Sequence, residues 1–507
     1  MLIIDKANWY ASADVVVVGY GAAGAVAAVT AHDKGASVLL LEKQPQESHV
    51  SNSHLAGGSF VSPSDVTGFQ QYLTRLCRTS EGMMWTDPEI IKVWSEYTCQ
   101  NHQWVQQMGG KITSTVNTYG AHREIPGNDL VQKYFFEEHG EGLMNFLKNL
   151  VQKRNIEVMH GVRAKRLINT HRNEVIGVAV QDDAGVEKNI KAHKAVILAN
   201  GGFEFNETMK LQFLRCSPFY FIGSPANTGD GVRMAMDVGA DLWHMNCCSS
   251  GFTMKFPDIP CGYSVLLRGA SHPTTEAYSL IDPYSEVSPV GGYMIVDKSG
   301  NRYTNENFKI HHVGYELAGY DSQKLNFPRI PSYWIMDRKR IADGPLCNTT
   351  GGRFGGGKLY QWSNDNSQEI EKGWIIEADS VKELGQKLGI DSNNLVRTMD
   401  NYNRYCREGN DPDFQRRPQS LIPLNNPPYY AVKLWPGGPN TQGGPRRNYK
   451  SQILNVEGEP IDGLYGAGEL GSVFGMLYTG GGNIAECISF GRIAGERAAE
   501  GKSRVIS

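Results

Sequence analysis

At 507 residues the chain is too long for a single core, so two or more domains are expected. Hydrophobic residues at 40% and charged residues at 20% are ordinary globular proportions, and a net charge of −3 gives no reason to expect nucleic acid or an anionic membrane as partner. Nine cysteines without a CxxC pair fit reduced thiols in a cytoplasmic protein, the start of the chain has no signal-peptide character, and no apolar run approaches the roughly 18 residues of a membrane span.

The first organised stretch is Asp14 to Lys43. Four valines, Val15 to Val18, read as a buried parallel strand. Gly19, Gly21 and Gly24 follow as GxGxxG, then an Ala-rich helix opening with Ala22 and Ala23, with Gly35 where a helix stops. Val38 to Leu41 is a second strand, ending in Glu42 and Lys43. In such a βαβ unit Gly19 permits the tight turn, Gly21 lets backbone approach a pyrophosphate, and Gly24 lets the helix pack on the strand. Phosphates sit on the helix N-terminus, and Glu42 accepts the ribose hydroxyls. The acid disfavours a 2′-phosphate, so NADP is not expected; NAD and FAD both fit.

Ser48 to Ser62 is a polar loop whose small residues, Ser53, His54, Gly57 and Gly58 among them, allow a flavin or nicotinamide ring to lie against backbone. Helical patterning runs from Phe69 to Met108 and again from Leu143 to Val151, followed by strands at Ile156 to Ile168 and Val175 to Val180. Ala195 to Leu198 is a buried strand ending in Asn200-Gly201-Gly202, and Asn227-Thr228-Gly229-Asp230-Gly231 opens a short helix. From about Gly269 the composition changes and the strands shorten, at Tyr293 to Val296 and Tyr333 to Met336. Gly351 to Gly357 is a glycine-rich connector, and Ile375 to Leu388 and Ser392 to Tyr405 read as helices. The end of the chain returns to glycine-rich α/β, with Gly466-Ala467-Gly468-Glu469, Tyr478-Thr479-Gly480-Gly481-Gly482-Asn483 and a helix from Ile484 to Ala499. Glycine turns after strands therefore recur at both ends of the chain. An NAD half-site needs only the first, so the pattern favours FAD, gripped from both ends.

These motifs, together with Val296 to Glu306, make the chain resemble the FAD-dependent family of fumarate reductase and succinate dehydrogenase flavoproteins and 3-ketosteroid dehydrogenases, over nearly its whole length. The resemblance implies an α/β Rossmann-like FAD-binding domain, discontinuous over 1–268 and 430–507, with a catalytic α+β cap inserted at 269–429. It implies that Asn200, Gly201, Asn227 and Asp230 belong to the cofactor site, that Glu469 binds the ribityl chain, and that Gly482, Asn483 and Ile484 stabilise negative charge on the reduced flavin. Members with a histidyl-FAD bond space their His differently from a Gly-Gly pair than His54 stands from Gly57-Gly58, so non-covalent FAD is expected. No metal is expected.

Members that reduce fumarate carry an Arg-Gly segment where this chain has Val290-Gly291-Gly292-Tyr293, and a second Arg where it has Tyr478 and Thr479. Missing cations argue against a dicarboxylate substrate. Ketosteroid dehydrogenases grip the 3-oxo group with a Tyr hydroxyl and a backbone N–H spaced as Tyr478 and Gly482 are, an oxyanion hole for a developing enolate. Tyr119, before Glu124, Pro126 and Gly127, resembles another tyrosine of that branch. Its third tyrosine has no match, and His311 or His312 is the candidate for proton transfer because imidazole titrates near neutrality. The implied activity is hydride exchange between flavin N5 and a C=C or CH–CH bond beside a carbonyl, in a small hydrophobic enone such as a 3-ketosteroid, with an electron donor or acceptor that the sequence does not identify. Two alternatives stay open: a fumarate-reductase-like enoate reductase, and an electron-transfer flavoprotein subunit without its own substrate.

Overall fold

Four consecutive valines suit only a strand covered on both faces, and in the computed structural model Val15 to Val18 have almost no exposed surface. The structure describes residues 2–3, 8–116, 125–265, 292–306, 313–347 and 359–502. Tyr119, Glu124, His311, His312 and the connector Gly351 to Gly357 lie outside the described residues. The valines belong to β1, Trp9–Val18, which pairs in parallel with β2, Val38–Leu41, on one side and with the long strand 187–198 on the other. Beyond β2 lies β3, Glu157–Met159, again parallel. The long strand is β4, Glu187–Leu198, and its last three residues pair in parallel with Leu464–Gly466 of β5, Pro460–Gly466. The parallel order is thus β3-β2-β1-β4-β5, and residues from the end of the chain complete the sheet begun at its start. The other end of β4's free edge is taken by Val175–Asp182, paired antiparallel.

Helix α1, Ala22–Asp33, follows β1 and is buried over Ala22 to Ala31. Its alanines are the price of that burial: α2, Gly482–Glu500, packs against it so closely that a side chain at Gly491 would stand 2.9 Å from Val26, and one at Gly495 would stand 2.5 Å from the Ala27 carbonyl. Gly35 follows the α1 C-cap with φ +87°, the left-handed conformation expected there.

The chain divides into two compact units, Met1–Leu214 with Ser224–Ser249 and Asn440–Ser507, and Arg215–Gly223 with Ser250–Pro439. Residues 215–223, 250–265 and 430–439, expected within the first domain, cluster with the second unit, where Tyr220 and Phe221 pair in parallel with Gly437 and Gly438. The second unit is built on an antiparallel sheet in which Tyr429–Thr441 lies beside Ser332–Asp337, and that beside Tyr293–Val296. Leu384, Leu395, Met399 and Tyr402 cover Met294, Val296 and Ile335 of this sheet.

One element differs in kind from expectation. Ile375 to Leu388 is not a single helix: Ile376–Ala378 is a strand on Tyr429–Ala431, and the helix is Val381–Leu388. Ser380 divides them, its hydroxyl accepting the Glu383 N–H at 3.2 Å as an N-cap. Among the described residues no helix is long and apolar enough to cross a membrane.

Candidate functional site

The turn between β1 and α1 shows what each of its glycines is for. Gly19 has φ +106°, and a Cβ there would stand 2.5 Å from the Ala199 carbonyl oxygen. At Gly24 a Cβ would stand 1.9 Å from the Gly19 oxygen, so helix and strand meet through bare backbone. Gly21 is different: a Cβ would meet nothing nearer than the Ser53 hydroxyl at 3.5 Å, which leaves its backbone approachable. Ser53 sits on the start of α1, its Oγ accepting the Ala22 N–H at 3.0 Å. Ala23 faces the C-terminal block, where a Cβ on Gly468 would stand 2.6 Å from its own.

Glu42 is buried at the end of β2. Oε2 accepts the Tyr20 N–H at 3.0 Å and Oε1 accepts the Gln44 N–H at 2.8 Å, with His49 Nε2 3.5 Å from Oε2. A carboxylate offers about four lone-pair sites, so these contacts orient the group without exhausting it. Burial pushes the His49 imidazole below its ordinary value, against the pull of Glu42.

Lys43 and Asp230 are brought to each other. Lys43 Nζ lies 2.9 Å from Asp230 Oδ2 and 2.8 Å from the Thr228 hydroxyl, while Arg163 and Arg233 share Asp230 Oδ1 at 2.7 and 2.6 Å. Burial alone would raise the Asp230 carboxyl, but Arg163 and Lys43 outweigh it and hold it below the usual carboxylate range. Gly57 and Gly58 lie against His139: a Cβ on Gly58, at φ +67°, would stand 2.3 Å from the His139 backbone, and His139 Nδ1 is 3.2 Å from the Gly57 oxygen. His54 Nδ1 accepts the Ser51 N–H at 3.0 Å, which ties its ring into the local turn.

A second cluster follows β4. Gly201 has φ +72°, and a Cβ there would meet Asn227 at 2.8 Å, while one at Gly231 would meet Asn200 at 2.8 Å. Glu469 accepts the Gly202 N–H at 3.1 Å and the Asn52 amide at 3.3 Å, so segments from both ends of the chain meet on one carboxyl. Burial, then the charge of neighbouring Glu204, holds the Glu469 carboxyl well above its ordinary value.

The third cluster is the start of α2. The Tyr478 hydroxyl accepts the Asn483 N–H at 3.3 Å, and its ring meets Phe474 edge-on at 5.0 Å. Burial pushes the phenol above its ordinary value, opposed by the N–H groups of Asn483 and Gly481. Gly482 is hemmed in, since a Cβ would stand 2.3 Å from the Phe474 ring. Asn483 and Ile484 are half-buried, and Gln442 Nε2 donates to Asn483 Oδ1 at 3.4 Å. Thr479 is fully buried, its hydroxyl 3.1 Å from that of Tyr72.

These clusters suit a long ligand with many polar atoms. The Gly21 backbone is open, and Asn200 Oδ1, Asn227 Nδ2 and Gln442 Oε1 are buried without a hydrogen-bond partner, which is costly unless a ligand supplies one. Asn52, Glu204, Gln442, Arg447 and Glu486 escaped the sequence reading. Glu486 had a signal, as the only acidic residue between Glu469 and Glu496 in an otherwise apolar and glycine-rich stretch.

The chain is similar to known proteins over nearly all its length. The pattern of the FAD binding domain family matches residues 14–253 and 270–484. The NADH:fumarate oxidoreductase of Klebsiella pneumoniae is 27% identical over 96% of this chain, which spans 48% of that protein's length. The 3-oxosteroid 1-dehydrogenase of Mycobacterium tuberculosis is 26% identical over 95% of this chain and 97% of its own length. The crystal structure of the 3-ketosteroid delta1-dehydrogenase from Sterolibacterium denitrificans, in complex with 1,4-androstadiene-3,17-dione, superposes with a TM-score of 0.80 at 20% identity, covering 96% of this chain and 99% of that one. The chain belongs to the FAD binding domain family that includes fumarate reductases and 3-ketosteroid dehydrogenases, and FAD is its cofactor.

Proposed function

We propose that the protein is an FAD-dependent oxidoreductase acting on a C=C or CH–CH bond beside a carbonyl, with an uncharged hydrophobic enone of the 3-ketosteroid type as substrate. Bound FAD supplies the hydride chemistry. The observation that carries the reading is the Tyr478 hydroxyl resting on the first turn of α2, 3.3 Å from the Asn483 nitrogen. Burial keeps that phenol protonated, so it donates a hydrogen bond to a substrate carbonyl oxygen and, with the Gly482 N–H, holds the oxygen as it gains charge. The helix N-terminus adds its partial positive charge at the same place. The proton on the adjacent carbon is handled by Tyr119, His311 or His312.

Cofactor contacts are proposed for Gly19, Gly21, Ala22, Ala23 and Gly24 at the pyrophosphate, with Glu42 at the ribose. The proposal extends them to Lys43, Ser53, His54, Gly57, Gly58, Asn200, Gly201, Asn227, Asp230, Glu469, Asn483 and Ile484. FAD is held without a covalent bond.

Fumarate-type reduction is the second reading, favoured by the relatives that carry that name. Against it stands Thr479, fully buried and hydrogen-bonded to Tyr72 where that activity would need a cation for a carboxylate. Anaerobic photoreduction of the purified holoprotein, followed by addition of steroids, other enones and enoates, separates the two. Re-oxidation by a 3-oxosteroid, and a loss on the order of 10²-fold in Tyr478→Phe, is the expected result. Re-oxidation by fumarate alone, or an unchanged rate in the variant, would sink the first reading.

A further inference from the structure

Arg447 and Glu486 form an ion pair in which neither side chain has exposed surface. Two charges taken fully out of water stabilise a fold little more than an apolar pair of the same size. What distinguishes this pair is where its remaining hydrogen bonds go. Arg447 Nη1 donates to the carbonyl oxygens of Gly468 and Leu470, each at 3.2 Å. Glu486 accepts the Ser472 hydroxyl at 2.6 Å and the Val473 N–H at 2.9 Å. Backbone on both sides of Glu469 is therefore tied to the second turn of α2. Tyr478, Gly482, Asn483 and Ile484 all lie between those two anchor points in the chain.

We propose that Arg447 and Glu486 are positioning residues for the flavin, holding the Glu469 segment at a fixed distance from the N-terminus of α2 and balancing the charge beneath the cofactor site. The proposal rests on the cofactor contacts proposed above for Glu469 and the start of α2. Glu486 without Arg447 would be a bare buried anion, and Arg447 without Glu486 a bare buried cation. Each partner cancels the field that the other would impose on bound flavin, while both hold backbone. Position and charge can therefore be separated by mutation.

The test uses the holoprotein, its FAD dissociation constant and its flavin reduction potential. Glu486→Gln leaves the Arg447 charge unbalanced and favours the reduced flavin. Its oxidised-to-reduced ratio at a fixed potential should fall about tenfold, which is about 30 mV upward for a two-electron couple. The double variant Arg447→Leu with Glu486→Leu removes charge and anchor together. Its apoprotein should still fold, and its holoprotein should keep a potential near the wild-type value yet bind FAD about tenfold more weakly. If Glu486→Gln fails to fold, the double variant decides alone. Wild-type FAD affinity in the double variant, or an unshifted potential in a folded Glu486→Gln, overturns the proposal. Mutation of Glu469 that leaves FAD affinity unchanged would instead remove the contact on which the proposal rests.

Discussion

At Gly24 an added Cβ would stand 1.9 Å from the Gly19 oxygen, whereas at Gly21 the nearest atom is the Ser53 hydroxyl at 3.5 Å. The two positions should therefore respond oppositely to the same substitution. Gly24→Ala overpacks backbone against backbone and should cost about 1–3 kcal/mol in urea unfolding of the apoprotein. Gly21→Ala should change that stability by less than about 0.5 kcal/mol, and its loss should appear in FAD affinity, read by fluorescence titration. Equal effects in both assays would contradict the assignment. Glu469 offers a second test at this scale. Its carboxyl is held above the ordinary 4.5 by burial and by Glu204, so the folded chain keeps a proton there that the unfolded chain releases. The stabilisation is complete below pH 4.5 and is lost as pH rises through the higher folded value. Melting of the apoprotein across that range should fall more steeply with pH in wild type than in Glu469→Gln. At this scale the sequence was most legible where backbone geometry dictates the residue, as at Gly19 and Gly24. It was least legible where a side chain's partner is remote: nothing near Lys43 in the chain announces that its ammonium meets Asp230 and Thr228.

The helix Asp230–Asp237 shows the same remoteness between elements. Its first residue, Asp230, gathers Lys43 from just beyond β2, Arg163 from Val162–Asn169 and Arg233 from its own first turn. Asp230→Asn should cost about 1–3 kcal/mol in chemical denaturation, the penalty of leaving charged donors short of an acceptor. It stays at the lower end because Arg163 and Arg233 are each about half exposed and can turn to water. A larger loss would mean that Asp230 fixes more of the fold than these three cations. Elements with one strong period were legible: the buried run of β1, the Ala-rich α1 and the amphipathic Ser392–Glu408 took their expected forms. Ile375 to Leu388 did not. Its apolar residues fit helical spacing, but Ile376 and Ala378 are claimed by a ladder with Tyr429–Ala431, and a cross-strand partner that far along the chain leaves no local trace.

For the molecule as a whole, both ends of the chain could be read as one ligand site because glycine turns recur at Gly19, Gly201 and Gly480, each with positive φ. FAD followed from those turns, and the family from them together with Glu42, Asn227 to Gly231 and Val296 to Glu306. The substrate did not follow in the same way, because it depends on a few side chains whose meaning lies in mutual placement; Tyr478 is informative only beside the N–H groups of α2. The same arrangement governs how the protein must be made. β4 ends at Leu198, and β5, its second parallel partner beside β1, does not begin until Pro460. A ribosome therefore releases the glycine turn, Glu42 and β4 long before it releases β5, Glu469 and α2. During that interval the upper edge of β4 has no partner, and Val26 and Ala27 of α1 lack the helix that covers them. An open strand edge beside bare apolar surface is an aggregation hazard. Only when residues 460–500 are released can β5 take that edge and α2 cover Val26 and Ala27.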